Sequence, residues 1–233
     1  MLNISYPHIL LPGIDQEALL VSMGLSTEAI TESISDGLTQ FKRATELHPV
    51  THAGITAWGE INATLRAILK SEAIGWDCTH KSGLTITYNK EFSIALIATS
   101  GDKDTGLEAG DPCTKNKKGP STRNIVASNM MGDLFDDGSE TPLIQKQSQS
   151  IDPTKTWILL YHFDKMLKEI RFELSLPAST ARICGKDNKL KIDSWKWRLL
   201  FSPMSFENVP VEPAEEIPFS EEITFEVSKK HKP

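Results

Sequence analysis

The sequence contains few cysteines and no long apolar run. Its three cysteines, Cys78, Cys113 and Cys184, lie far apart and include no CxxC pair. A disulfide framework or a ribbon-type zinc site needs closely spaced pairs, so the sequence favours reduced thiols instead. The N-terminus lacks the features of a secretory signal, and no apolar stretch approaches the length of a bilayer span. We therefore expect a soluble cytoplasmic protein with no membrane partner.

A basic excess is also missing, because the net charge is -6 at pH 7 and the isoelectric point is near 5.6. Proteins that bind nucleic acid by general electrostatic attraction carry an excess of lysine and arginine. The composition therefore argues against a binder of that kind and leaves room only for a local basic patch. With 39% hydrophobic and 24% charged residues, the chain is an ordinary globular sequence that can bury a sizeable core.

Established catalytic motifs are absent as well. The chain has no GxSxG elbow, HExxH motif, deaminase HxE with PCxxC, kinase signature or GxGxxG fingerprint. His48 and His52 have the spacing of a metal pair, but no glutamate follows His48, and Pro49 disfavours helix there. We interpret that segment as the entry to a helix. Whether the protein is an enzyme stays open at this level.

Apolar periodicity predicts helices in the first part of the chain, about residues 15–73. After an irregular arm over residues 1–14, we predict a short helix from Asp15, a longer one capped by Ser26 or Thr27, and a third that opens at Thr51 or His52. The third helix has the longest apolar stripe, which comprises Ile55, Trp58, Ile61, Leu65, Ile68 and Leu69.

The pattern changes after Gly75 to the two-residue period of strands. Hairpins are predicted at 84–99 and 157–176, a further strand at 195–202, and an edge strand at 223–227, within a sheet part of about 84–228. Residues 136–155 form an exposed linker or loop by composition. Because helices come first and strands follow, we predict a single α+β domain over 1–233, with N-terminal helices packed on a mostly antiparallel sheet.

The long connection at residues 99–124 is the first candidate site. Its first half places carboxylates among glycines, and Mg²⁺ and Ca²⁺ prefer such oxygen ligands. The spacing fits neither an EF-hand nor a P-loop. Asp102, Asp104 and Glu108 could still bind a divalent cation, which would suit a metal-dependent hydrolase such as a nuclease or phosphodiesterase.

The second half of this connection is basic. Its cations are Lys115, Lys117, Lys118 and Arg123, and a helix capped by Ser121 or Thr122 is predicted from Asn124 to Leu134. Cations beside the N–H groups of a helix N-terminus suit a phosphate or another anion. The alternative is a solvated loop in which acidic and basic halves balance.

A second candidate site lies on the later hairpin. His162 and Asp164 share one face of its first strand, and Arg171 and Glu173 share one face of its second. If the two faces coincide, His162, Glu173 and Arg171 are candidates for general acid–base chemistry. We favour the alternative, which is charge pairing across strands on a solvated face.

The strand at 195–202 alternates aromatic or aliphatic residues with Lys196 and Arg198. Such a row can stack nucleic-acid bases, but it more often forms the core face of a sheet. We therefore expect the apolar residues in the core and both cations in solvent.

These observations favour a non-enzymatic binding or accessory protein. It would contact an anionic ligand, a nucleic-acid backbone or a protein partner through residues 101–124, with Lys115, Lys117, Lys118 and Arg123 as the binding residues. The alternative function is the metal-dependent hydrolase, with Mg²⁺ or Ca²⁺ held by acidic residues of the same segment.

Overall fold

The computed structural model describes residues 7–72, 75–81, 83–134, 155–178 and 191–208. Within these ranges the chain forms four α-helices and one mixed, mostly antiparallel sheet of eight strands. This confirms the predicted α+β fold. The predicted strand at 223–227 and the predicted linker up to residue 154 lie outside the described residues. No helix in the described ranges is long and apolar enough to cross a membrane.

Three helices precede most of the sheet, and their apolar faces set how they pack. The helices are α1 (Ile14–Ser22), α2 (Thr27–Arg43) and α3 (His52–Glu72). Ser26 caps α2 as predicted, since its Oγ accepts a hydrogen bond of 3.1 Å from the Ala29 N–H.

The strands appear in this order along the chain: β1 (His8–Leu10), β2 (Trp76–Lys81), β3 (Leu84–Asn89), β4 (Ile94–Ser100), β5 (Lys155–Asp164), β6 (Glu169–Pro177), β7 (Trp195–Leu200) and β8 (Met204–Ser205). Their order across the sheet is β1-β7-β6-β5-β4-β3-β2, with β8 beside β6. The pairs β1–β7 and β4–β5 are parallel, and the others are antiparallel. Parallel neighbours need a long crossover, and α4 (Pro120–Leu134) lies in the crossover between β4 and β5.

Three local predictions are corrected. Part of the supposedly irregular N-terminal arm is strand β1, which is too short to show a two-residue period. Strand β2 was not predicted, because its sequence WDCTHK is mostly polar. Helix α4 begins at Pro120 rather than at Asn124, which suits proline because its ring presets a helical φ and its missing N–H is not needed in the first turn.

Different helices pack on the two faces of the sheet. Helices α1 to α3 cover the first face, where buried helix residues such as Leu38 and Ile61 belong to one apolar cluster with Leu159 and Phe172 of the sheet. On the second face, Val126 of α4 packs in a smaller cluster that also contains Ile97, Ile158, Leu160, Ile192 and Trp195. Strand β4 is buried on both faces, as predicted for a central strand.

Candidate functional site

The β4–α4 loop, which we define as residues 101–119, is tied to the rest of the fold near both of its ends. The Asp102 N–H donates to the Cys113 carbonyl oxygen at 3.0 Å, which closes the first half of the loop on itself. The Lys115 N–H donates to the Ser100 carbonyl oxygen at 2.9 Å and returns the chain to the end of β4. These bonds give the loop a defined shape.

A buried ion pair fixes the middle of the same loop. The Arg198 Nη2 lies 2.6 Å from the Glu173 Oε2, and the two side chains are 1% and 0% exposed. Glu173 also accepts a hydrogen bond of 2.9 Å from the Gly106 N–H. Arg198 donates to the carbonyl oxygens of Leu107 and Gly110 at 2.9 and 2.8 Å. The ion pair therefore forms hydrogen bonds with backbone groups of the loop from the sheet below it.

The backbone of the loop approaches β6 so closely that glycine is required. Gly106 has a φ of 74°, and a Cβ there would lie 2.8 Å from the Cβ of Arg171. Consequently Arg171 and Glu173 are buried under the loop, at 7% and 0% exposure. The predicted solvated charge face is wrong for these residues, and so is the prediction that Arg198 points into solvent, because a distant segment covers them.

The structure places the three catalytic candidates in different surroundings. His162 pairs with Arg171 across β5 and β6, and Arg171 forms an ion pair of 3.2 Å with Asp164. Glu173 is bonded instead to Arg198. Burial lowers the pKa of His162 below its usual value, which favours the neutral imidazole. An acid–base role for the three residues stays a prediction.

The acidic candidates make contacts within the loop. The Asp102 carboxylate accepts hydrogen bonds from the Asp104 N–H at 3.2 Å and from the Cys113 thiol at 3.0 Å. Asp104 pairs with Lys103 at 3.1 Å, and Glu108 is exposed. Across the described ranges, no group of three or more His, Cys, Asp and Glu residues is arranged to hold a metal ion. A cation site at Asp102, Asp104 and Glu108 stays a prediction.

A cleft of about 830 Å³ opens beyond the carboxyl ends of the parallel strands β4 and β5. Crevices at the carboxyl ends of parallel strands are common ligand sites, because rigid strands position the loops that follow them. The first turns of α3 and the final part of the β4–α4 loop also line it. Its apolar lining includes Val50, Ile55, Trp58, Ile97, Ile158 and Ile192.

The charges of this cleft are mainly positive. Lys115, Lys118 and Lys165 line it, together with Asp164. Asp164 already pairs with Arg171 at 3.2 Å. The cleft is therefore cationic, although the whole chain carries a net charge of -6.

Lys118 has an unusual environment for a lysine. It is half-buried, and its Nζ donates to the Thr99 Oγ1 at 2.5 Å. In the part of the chain that the structure describes, no carboxylate forms an ion pair with it. Burial lowers the pKa of Lys118 from 10.5 to about 8.

The structure divides the four cations that the sequence singled out. Lys115 and Lys118 line the cleft, whereas Lys117 and Arg123 are not among its lining residues. The wall of the cleft that faces these lysines was not predicted from the sequence. Ile55 and Trp58 belong to the predicted apolar stripe of α3, but they are 60% and 39% exposed and line the cleft. Periodicity does not show which end of a stripe extends past the sheet.

The fold and the cleft together define an α+β protein with a cationic crevice at the end of a parallel strand pair. Comparison with protein-family models, curated proteins and solved structures finds no match for the chain. Its function is therefore inferred from the chemistry of the cleft.

Proposed function

We propose that this protein binds a small anionic ligand with an apolar body in the cleft at the ends of β4 and β5. Lys118 and Lys115 are the cationic contacts. The observation that carries the proposal is the position of the Lys118 ammonium group, which lies half-buried in the cleft with the Thr99 hydroxyl, and no carboxylate, as its described partner.

Electrostatics supports an anion at this position. A buried charge without a counter-ion is costly, as the lowered pKa of Lys118 indicates. A ligand carboxylate or phosphate would supply the counter-ion and form a charge-assisted hydrogen bond. Lys115 and Lys165 add positive charge at the same cleft, which attracts anions over a longer range.

Size and lining support a small ligand with an apolar part. Ligand sites usually have volumes of roughly 300 to 1,000 Å³, and this cleft has about 830 Å³. The Trp58 Nε1–H donates to the Ala98 carbonyl oxygen at 3.1 Å, so the indole is held in place. Its exposed ring and the neighbouring Ile55 offer an apolar wall.

Phenyl phosphate, inorganic phosphate and phenol test the proposal by calorimetry and thermal shift. Phenyl phosphate should bind most tightly, because it combines both required chemistries. Lys118→Met should weaken it by about tenfold or more, since a hydrogen bond to a charged group contributes roughly 1.5–3 kcal/mol. Lys117→Met is the matched control from the same loop and should leave the affinity within about twofold.

Two results would contradict the proposal. One is the absence of binding by phosphate and phenyl phosphate. The other is a larger loss in Lys117→Met or Arg123→Met than in Lys118→Met, which would place the contact outside the cleft. That second pattern would favour a nucleic-acid backbone or a protein partner, for which a fall in affinity with added salt is expected.

A further inference from the structure

We infer that Lys118 is a nucleophilic amine that forms an imine with an aldehyde or ketone group of a ligand in this cleft. The inference rests on the proposed function for the location of the ligand. A simple anion pairs with Lys118, but for a ligand that also carries a carbonyl group, Lys115 takes over the anion contact and the Lys118 Nζ meets the carbonyl carbon.

The first support is geometric. The Lys118 Nζ is hydrogen-bonded to the Thr99 Oγ1 at 2.5 Å, and Thr99 is only 8% exposed at the end of β4. A flexible lysine is thus held at one point of the cleft. A hydroxyl group can both accept and donate, so this contact is compatible with the ammonium and with the neutral amine.

The second support is the protonation state. Only a neutral amine attacks a carbonyl, and burial lowers the pKa of Lys118 to about 8. About one-tenth of Lys118 is therefore neutral at pH 7, compared with well under about one-thousandth of an ordinary lysine. The absence of a described carboxylate partner acts in the same direction, because a carboxylate would hold the proton on the amine.

The reaction balances without any oxidant or reductant. The nitrogen lone pair forms a bond to the carbonyl carbon while a proton moves from nitrogen to oxygen, which gives a carbinolamine. Loss of water then forms the imine. His162 lines the same cleft, and burial lowers its pKa and so favours the neutral imidazole, which can accept the proton from nitrogen and return it to the departing hydroxyl group.

Two other lysines of the cleft serve as internal controls. Lys115 is exposed, and Lys165 is exposed with its Nζ 5.6 Å from the centre of the Phe41 ring. Both can meet the same ligand, but neither has the half-buried position of Lys118. Selective reaction at Lys118 would therefore reflect its environment and not mere access.

Pyridoxal 5′-phosphate, an anionic aldehyde, is the probe. The full chain is mixed with an equimolar amount, reduced with borohydride and mapped by peptide mass spectrometry. We expect at least about tenfold more adduct on Lys118 than on Lys115 or Lys165, because about one-tenth of Lys118 is neutral at pH 7 and Thr99 holds its amine in the cleft. The yield at Lys118 should rise with pH through a midpoint near 8.

Lys118→Arg keeps the positive charge and removes the nucleophile, so it should abolish the selective adduct. Lys117→Arg should retain it. Circular dichroism and the melting temperature confirm that both variants are folded. Labelling spread evenly over surface lysines, or an unchanged adduct yield in Lys118→Arg, would overturn the inference.

The two proposals fail in different ways. If pyridoxal phosphate binds reversibly, depends on Lys118 and leaves no reducible adduct, the imine inference is overturned and the binding proposal stands. If pyridoxal without the phosphate labels Lys118 equally well, the imine inference stands and the need for an anionic group is overturned.

Discussion

Replacing Arg198 with methionine should destabilise the protein by about 3–5 kcal/mol, the usual cost of leaving one partner of a buried ion pair alone. Glu173, which is 0% exposed, would lose hydrogen bonds of 3.1 and 2.6 Å from the Arg198 Nε and Nη2. Among the residues that the structure describes, only the Gly106 N–H and the Ser175 hydroxyl, at 2.9 and 2.7 Å, would still bind it. The carbonyl oxygen of Leu107 would also lose its donor.

Denaturant unfolding of a double-mutant cycle tests this reasoning. Arg198→Met combined with Glu173→Leu leaves no uncompensated charge, so the double variant should cost at least about 2 kcal/mol less than the sum of the single variants. Amide hydrogen exchange at residues 102–111 should become faster in Arg198→Met, because the middle of the loop loses its attachment.

The matched control is Arg66→Met. The Arg66 side chain is half-buried and donates to the Thr87 Oγ1 and the Ile86 carbonyl oxygen at 3.0 and 3.2 Å. Its loss should cost only about 1–2 kcal/mol. Two results would refute the claim that the buried pair stabilises the fold: a cost below about 1 kcal/mol for Arg198→Met, or a double variant whose cost equals the sum of the costs of the two single variants.

Two further changes test the helices and the cleft. Gly37→Ala should destabilise the protein by about 1–3 kcal/mol in thermal unfolding, because the new Cβ would lie 2.3 Å from the Ile61 Cγ1. The control is Gly59→Ala, whose new Cβ meets nothing within 4 Å and which should stabilise the protein by up to about 1 kcal/mol. Equal effects of the two changes would contradict the close contact between α2 and α3. The pKa of Lys118 is about 8 in the folded protein and 10.5 in an ordinary lysine. Between these pH values the unfolded chain binds more protons than the folded one. The unfolding free energy of the native protein should therefore rise, relative to that of Lys118→Met, as the pH increases from 8 to 10.5. A flat difference over that range, measured by denaturant unfolding, would contradict the lowered pKa.

Local periodicity accounts for the parts of the fold that were predicted correctly. In α2 the buried positions Ile30, Ile34 and Leu38 follow the helical spacing, because one face of the helix lies against the rest of the core. In β6 Phe172 and Leu174 alternate with polar residues, and both lie in the apolar cluster that also contains the helix residues.

Contacts between distant segments account for what was missed. The polar face of β6 and β7 is ordinary for a solvated sheet, and nothing near Glu173 or Arg198 in the sequence reveals that residues 106–110 cover it. Likewise, Lys118 is one of several lysines in a basic stretch. Its proximity to Thr99 depends on the path of the whole loop, which the spacing of neighbouring residues does not specify.

The buried ion pair and the cationic cleft are connected through that path. Arg198 and Glu173 hold the middle of the β4–α4 loop on the sheet, and the backbone bonds of Thr114 to Ile192 and of Lys115 to Ser100, at 3.0 and 2.9 Å, position its later part. Lys115 and Lys118 belong to this anchored segment, so an anion that enters the cleft would meet two positive charges whose backbone is already ordered. Binding then avoids the entropic cost of ordering a loop. The buried pair of Arg198 and Glu173 is costly to bury and does not line the cleft, but it can favour ligand binding by holding the loop in place.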